Sequence, residues 1–116
     1  MPNEVPHDKV MTGARNLALR TVEAMGVIAP AWAHGDGVER GMGNKGLGVD
    51  AAFAILESFL GNDGLVVAGD WRVNERIDVY DLAMRFAEDN YSRMRHEKYD
   101  NGMYVIVMHG PLKKET

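Results

Sequence analysis

The chain contains no cysteine. This absence excludes disulfide bonds, thiolate metal ligands and a cysteine nucleophile. It also favours a reducing compartment, because disulfides are common where the environment is oxidising, and we therefore expect a cytoplasmic protein. The first residues lack the basic and apolar regions of a signal peptide, which agrees with this expectation.

Neither a long apolar run nor an excess of positive charge is present. No run approaches the ~20 apolar residues that a membrane-spanning helix needs, so we expect no membrane partner. The 17 acidic and 13 basic residues give a net charge of −4 and are interspersed along the chain. Since nucleic-acid-binding proteins usually carry a basic stripe, this distribution argues against a nucleic-acid partner.

The length of 116 residues fits a single globular domain over residues 1–116. A chain of this size buries roughly two-thirds of its unfolded surface, so its core needs no disulfide or metal. With 46% hydrophobic and 26% charged residues, the composition is that of a folded domain rather than a disordered segment.

Apolar periodicity predicts three helices, over residues 8–25, over residues 49–60, and from 78 to about 98. In the first helix, apolar residues recur every three or four positions, and Gly26 is suited to end it. The second is apolar on nearly every side, which predicts burial on most sides. The third contains acid-before-base pairs at four-residue spacing and ends at the turn sequence Asp100-Asn101-Gly102.

Two short runs, 65–68 and 103–109, predict strands, and a third strand near 27–32 or pairing with another subunit would complete the sheet. The third helix lies between the first two strands and is long enough for a crossover. Such a crossover would make those strands parallel neighbours with right-handed connectivity; an antiparallel arrangement is the alternative. The expected fold class is α+β, with three helices packed on a small two- to three-stranded sheet and a long glycine-rich loop between the first two helices.

The segment 28–48 is rich in glycine and has no clear periodicity. Loops of this length are usually functional or disordered. The stretch Gly41–Gly46 matches the G-x-G-x-x-G pattern and precedes a predicted helix, so backbone N–H groups and Lys45 would cradle a phosphate. Two features weaken this interpretation, because no convincing strand precedes the pattern and Asp50 would repel an anion. The candidate ligand-binding residues are His34, Asp36, Arg40, Gly43, Lys45 and Gly46.

No catalytic signature is complete. The two serines lie in predicted helices, outside any G-x-S-x-G elbow. His34 and Asp36, with Glu39 nearby, supply too few ligands for a divalent metal, and no HxxxH or HExxH spacing occurs. We therefore expect no metal and no cofactor, and we favour binding over catalysis.

Eight methionines and two tryptophans suit adaptable protein contacts, with core packing as the alternative. The candidate partner-contact residues are Trp32, Met42, Trp71, Met103 and Met108. The leading hypothesis is a non-enzymatic protein–protein interaction module that binds another protein or itself. It would be a subunit of a larger assembly, or a small inhibitor, such as phages encode, that occupies a partner's surface. The alternative is a small-ligand-binding or phosphate-binding protein or enzyme that uses the loop 34–48.

Overall fold

The computed structural model describes residues 7–33, 48–61, 64–72 and 79–113. These residues form three α-helices, one short 3₁₀-helix and four β-strands. In chain order they are α1 (His7–Glu23), β1 (Val27–Pro30), the 3₁₀-helix (Ala31–Ala33), α2 (Val49–Phe59), β2 (Leu65–Asp70), α3 (Val79–Asn90), β3 (Tyr91–Lys98) and β4 (Met103–Leu112). The predicted α+β class is confirmed. None of the helices among these residues is long and apolar enough to cross a bilayer.

The strands form one antiparallel sheet in the order β1-β2-β4-β3. This finding corrects the predicted count of two to three strands, and the parallel arrangement is wrong because β2 and β4 run antiparallel. The strand expected near 27–32 is β1, which pairs with β2. It is short and ends at Pro30, a residue that suits an edge strand because it has no N–H group to donate.

The predicted third helix is correct only in its first half. α3 ends at Asn90, and the chain passes directly into β3. The backbone N–H and the ammonium group of Lys113 donate to the carbonyls of Asn90 (2.8 Å) and Glu88 (2.6 Å), which satisfies two groups at the helix end. Residues 91–98 escaped the strand prediction because a charged edge strand lacks the apolar alternation of a half-buried one.

All three helices pack on one face of the sheet, and the main hydrophobic core lies between the two layers. From α1, Ala14, Leu17 and Ala18 are fully buried, at the three- to four-residue spacing that aligns side chains on one helix face. The sheet contributes alternate side chains from its strands, among them Ile28, Leu65, Val67, Tyr104, Ile106 and Met108.

α2 is less buried than its apolar sequence predicts. Ala52 and Leu56 are its fully enclosed residues. Phe53 and Ile55 are half-buried against the core, and Ala54 is exposed. The helix packs on α1 and β1, so one side of it meets the core rather than most sides.

The opposite face of the sheet is also apolar and buried. Ala31 and Ala33 of the 3₁₀-helix pack against it. Because β2 is buried on both faces, its sequence is a continuous apolar run rather than an alternating one. The residues of this second face are Val27, Ala29, Val66, Ala68, Val105 and Val107, each at most 9% exposed.

Candidate interaction surface

The turn between β3 and β4 is a compact hydrogen-bonded unit. The N–H of Gly102 donates to the carbonyl of Tyr99 (3.0 Å), and the N–H of Tyr99 donates to the carbonyl of Met103 (2.8 Å). Gly102 has a φ of +96°, which glycine adopts without steric cost. Asp100-Asn101-Gly102 is therefore the turn of a β-hairpin and not the helix end that the sequence predicted.

Trp71 follows β2 directly and lies against this turn. Its backbone N–H donates to the carbonyl of Gly102 (2.8 Å), and its indole N–H donates to the carbonyl of Tyr99 (3.3 Å). Trp71 nevertheless stays 41% exposed and Tyr99 40% exposed. Two large aromatic side chains thus reach solvent at one end of the hairpin, and both are hydrogen-bonded, since the Tyr99 hydroxyl donates to Oε1 of Glu97 (2.8 Å).

An ion pair next to Trp71 packs on the same turn. The guanidinium of Arg72 donates to both carboxylate oxygens of Asp70, at 3.1 and 3.0 Å, and the backbone N–H of Arg72 adds a third bond at 2.8 Å. These hydrogen bonds hold the pKa of the Asp70 carboxyl below its usual value. The Arg72 side chain occupies the space where a Cβ on Gly102 would lie, so the turn and the ion pair fit together only with glycine there.

The ammonium group of Lys98 lies between two aromatic rings. Its Nζ is 4.8 Å from the ring centroid of Trp71 and 4.5 Å from that of Tyr80. Each such contact at an exposed site contributes about 0.5–1 kcal/mol, because the ring face attracts a cation. Lys98 therefore links the end of β2 to α3. We call the four residues Trp71, Tyr80, Lys98 and Tyr99 the hairpin end.

Tyr80 joins the hairpin end to the core. Its hydroxyl shares a hydrogen bond of 2.7 Å with Nδ1 of His96, and its ring packs edge-on against Tyr104 with the centroids 5.4 Å apart. Burial, followed by the negative charge of Asp81, raises the pKa of Tyr80. In chemical terms the cluster offers aromatic area, a cation and hydrogen-bonding groups. Within the part of the chain that the structure describes, no three His, Asp or Glu side chains converge as metal ligands.

β3 is an edge strand among the described strands, and most of its charged side chains are basic. Arg93, Arg95 and Glu97 lie on the side of the sheet away from the helices, whereas His96 and Lys98 lie on the helix side. All five are exposed. In a chain with a net charge of −4, this strand is a local concentration of positive charge.

A second surface feature is an open groove of about 510 Å³ between α1 and α2. The charged side chain in its lining, Arg15, is already engaged: Nη2 lies 2.7 Å from Oδ1 of Asp50, and the guanidinium stacks 4.9 Å from the ring centroid of Phe53. Among its described lining residues, the groove therefore has no uncommitted charge to orient a ligand. Its lining residues are Met11, Thr12, Arg15, Asn16, Leu19 and Phe53.

The predicted ligand site lies outside the described residues. The glycine-rich loop was expected from residue 28, but residues 27–33 form β1 and the 3₁₀-helix. Residues 34–47 are not among those that the structure describes. The predicted residues this applies to are His34, Asp36, Arg40, Met42, Gly43, Lys45 and Gly46.

The remaining predicted contact residues do not form one patch. Trp71 and Met103 are neighbours, since Met103 lies opposite Asp70 in the sheet. Trp32 is 74% exposed, but it lies in the 3₁₀-helix that follows β1, beside the start of β2 rather than its end. Met108 is fully buried in the main core, so it is not part of a surface.

Tyr80, Lys98 and Tyr99 were not among the partner-contact residues expected from the sequence. Lys98 and Tyr99 follow Trp71 by 27 and 28 residues, and the sheet order together with the hairpin brings them next to it. Tyr80 follows Trp71 by nine residues and reaches Lys98 from α3. The available signal was the turn sequence at 100–102, which predicts a hairpin when strands flank it. The first of the two flanking strands, β3, was not predicted, because its mostly charged sequence lacks the apolar pattern of a strand.

No protein-family model matches the chain, and neither the search of curated proteins nor the search of solved structures returned a significant match. The function is therefore inferred from the surface itself. Among the described residues, we base that inference on two features, the exposed aromatic side chains of the hairpin end and the outer edge of β3.

Proposed function

We propose that this protein is a non-enzymatic protein–protein interaction module, a subunit of a larger assembly, and that it contacts its partner through the hairpin end. The observation that supports the proposal is the exposure of Trp71 and Tyr99 at 41% and 40%, in positions that backbone hydrogen bonds hold fixed. Tryptophan and tyrosine are the residue types that most often dominate binding energy in protein interfaces.

Fixed aromatic side chains favour binding for an entropic reason. Ordering a mobile side chain on association costs about 0.5–1.5 kcal/mol, and Trp71 is already ordered by its bonds to the hairpin turn. Lys98 adds a cation between the rings of Trp71 and Tyr80. The Asp70–Arg72 ion pair packs against the turn at Gly102. The hairpin end thus combines apolar area with a charged rim, as protein interfaces do.

The alternative function, binding of a small ligand or phosphate by residues 34–48, rests on residues outside the described ranges. The described start of α2 gives it no support, because Asp50 places a carboxylate in the first turn of the helix. We therefore retain the interaction module as the single proposed function.

Native mass spectrometry of the untagged, gently purified protein tests this proposal. We expect the mass of a discrete protein assembly for the wild type and its loss in Trp71→Ala. Trp32→Ala is the matched control, because it removes a tryptophan that is more exposed but lies beside the start of β2. Circular dichroism checks that both variants fold.

Two outcomes contradict the proposal. One is an assembly that Trp71→Ala and Trp32→Ala weaken equally. The other is a wild-type monomer that carries a reproducible small-molecule mass, which would favour the ligand-binding alternative.

A further inference from the structure

We propose that the partner is a second copy of this chain, which adds its own β3 antiparallel to the edge of β3 that no described strand occupies. The two four-stranded sheets would then form one continuous sheet of eight strands. This inference rests on the proposed function and gives it a specific partner. Lys98 of the hairpin end lies on the pairing edge of β3, and Trp71, whose ring holds the Lys98 ammonium group, supports that edge from the adjoining turn. Pairing of exposed sheet edges is an established mode of protein association.

Every second residue of β3 directs its backbone groups to the open edge. The N–H of Tyr99 donates to the carbonyl of Met103, so Tyr99 turns its backbone groups towards β4. Because hydrogen-bonded and non-hydrogen-bonded pairs alternate along an antiparallel ladder, Glu97 and Arg95 also turn theirs towards β4. The residues whose N–H and carbonyl groups point away from β4 are Met94, His96 and Lys98.

One two-fold register sets opposite charges against each other. When the axis passes between His96 and its copy, Arg95 lies opposite Glu97 of the second copy, and the same pair forms again across the axis. Arg95 and Glu97 share one face of the sheet, and a two-fold axis perpendicular to the sheet preserves the faces. Directly opposed unlike charges stabilise a strand pair, whereas like charges destabilise it.

The neighbouring registers bring like charges together. An axis at Arg95 or at Glu97 sets that side chain against its own copy. An axis at Met94 pairs Arg93 with Arg95, and an axis at Lys98 pairs two ammonium groups. Of the five positions of the axis, at residues 94 to 98, only the axis at His96 leaves no acidic side chain, Lys or Arg opposite a residue of its own sign.

Charged residues on an edge strand also serve to prevent pairing. That role and the proposed dimer predict opposite results when charge is removed. If the charges only protect the edge, Arg95→Gln would promote association. If they set the register, Arg95→Gln would weaken the dimer.

Charge exchange tests the register. We expect sedimentation velocity and native mass spectrometry to show a dimer of the wild type. Arg95→Glu and Glu97→Arg should each weaken it by about tenfold or more, because each substitution creates two like-charge pairs. An equimolar mixture of the two variants should form a heterodimer, and the double variant should again form a homodimer. Lys9→Glu, which makes the same charge change as Arg95→Glu on the exposed surface of α1, is the control and should leave the dimer unchanged.

Rescue in the mixture and in the double variant shows that the single variants still fold. The double variant restores the wild-type net charge, so net charge is separated from register by Lys9→Glu and by the loss expected in both single variants, whose net charges change in opposite directions. A dimer that survives Arg95→Glu overturns the inference, as does a double variant that stays monomeric. Failure of the dimer is distinguishable from failure of the proposed function. A wild-type chain that does not self-associate but holds a different protein in a Trp71-dependent way refutes the dimer and leaves the interaction module standing. A chain that forms neither the dimer nor a complex with a different protein refutes both the dimer and the interaction module.

Discussion

Tyr91 lies where α3 passes into β3, and it is only 1% exposed. Its ring packs at a tilt against Phe86 with the centroids 6.4 Å apart, and its hydroxyl accepts a long hydrogen bond of 3.4 Å from the N–H of Gly61. Burial raises the pKa of Tyr91 to about 12. The folded state therefore holds the phenol proton more tightly than the unfolded chain, in which the pKa is about 10.

This pKa difference makes folding stability depend on pH on the alkaline side. The stabilising contribution is fully present below pH 10 and is lost as the pH rises towards 12, because only the unfolded chain releases the proton in that range. At about 1.4 kcal/mol for each unit of pKa, Tyr91 accounts for a loss of roughly 3 kcal/mol between pH 10 and pH 12. We expect Tyr91→Phe to lack this loss.

Urea unfolding of the wild type and of Tyr91→Phe from neutral pH to about pH 12 measures the difference. At neutral pH the two should be similar, since the substitution removes one long hydrogen bond. At high pH the variant should become the more stable protein. Parallel pH profiles would show that Tyr91 is ionised as easily in the folded protein as in the unfolded chain.

Among the elements, those with periodic apolar residues were predictable and the charged strand was not. α1 and β2 follow from spacing and from an apolar run, because burial selects those residues. The first half of α3 follows for the same reason. β3 does not, since its charged side chains avoid the core on both faces. Its Arg93 also lies four residues after Asp89 of α3, as in a helical acid–base pair. Because β3 forms a hairpin with β4, the chain reverses direction before β4, and β4 lies antiparallel to β2.

The hairpin turn is the element on which the candidate surface depends. Gly102 has a positive φ of +96°, and a Cβ there would meet the side chains of Arg72 and Asp70. Placing a non-glycine residue in such a conformation costs about 1–3 kcal/mol. We expect Gly102→Ala to lower the free energy of unfolding by that amount and to disturb the contact of Trp71 with the turn.

Gly48→Ala is the control for this substitution. Gly48 is the N-cap of α2 with a φ of −83°, and a Cβ there has no neighbour within 4 Å. The cost of alanine at an N-cap and the gain from a less flexible unfolded chain oppose each other, so the net change should stay within about 0.5 kcal/mol. Chemical denaturation of both variants supplies the comparison. Equal effects of the two substitutions would mean that the turn is not constrained as the backbone geometry indicates.

At the scale of the whole molecule, the candidate surface depends on contacts between distant parts of the chain. Trp71 bonds to Tyr99, 28 residues later in the sequence, because β2 and β4 are neighbours and the turn before β4 meets the end of β2. Periodicity identifies the elements but not their order in the sheet. Trp71 was therefore recognisable from the sequence as a protein-contact residue, whereas Tyr80 and Lys98 were not assigned to a protein-contact surface.

The same sheet order predicts how resistance to opening is distributed over the molecule. β2 is paired on both sides and buried on both faces, so its amides should exchange with solvent only through global unfolding. On β3, the amide of Glu97 donates to β4, whereas those of Met94, His96 and Lys98 face the open edge. In Arg95→Glu, the expected monomer, residues 94, 96 and 98 should therefore exchange rapidly and residue 97 slowly. Hydrogen exchange followed by NMR measures this alternation.

In concentrated wild-type protein the same three amides, of residues 94, 96 and 98, should gain protection, because the second copy covers them. Uniform protection along β3 in the variant would show that its outer edge is already paired within the chain.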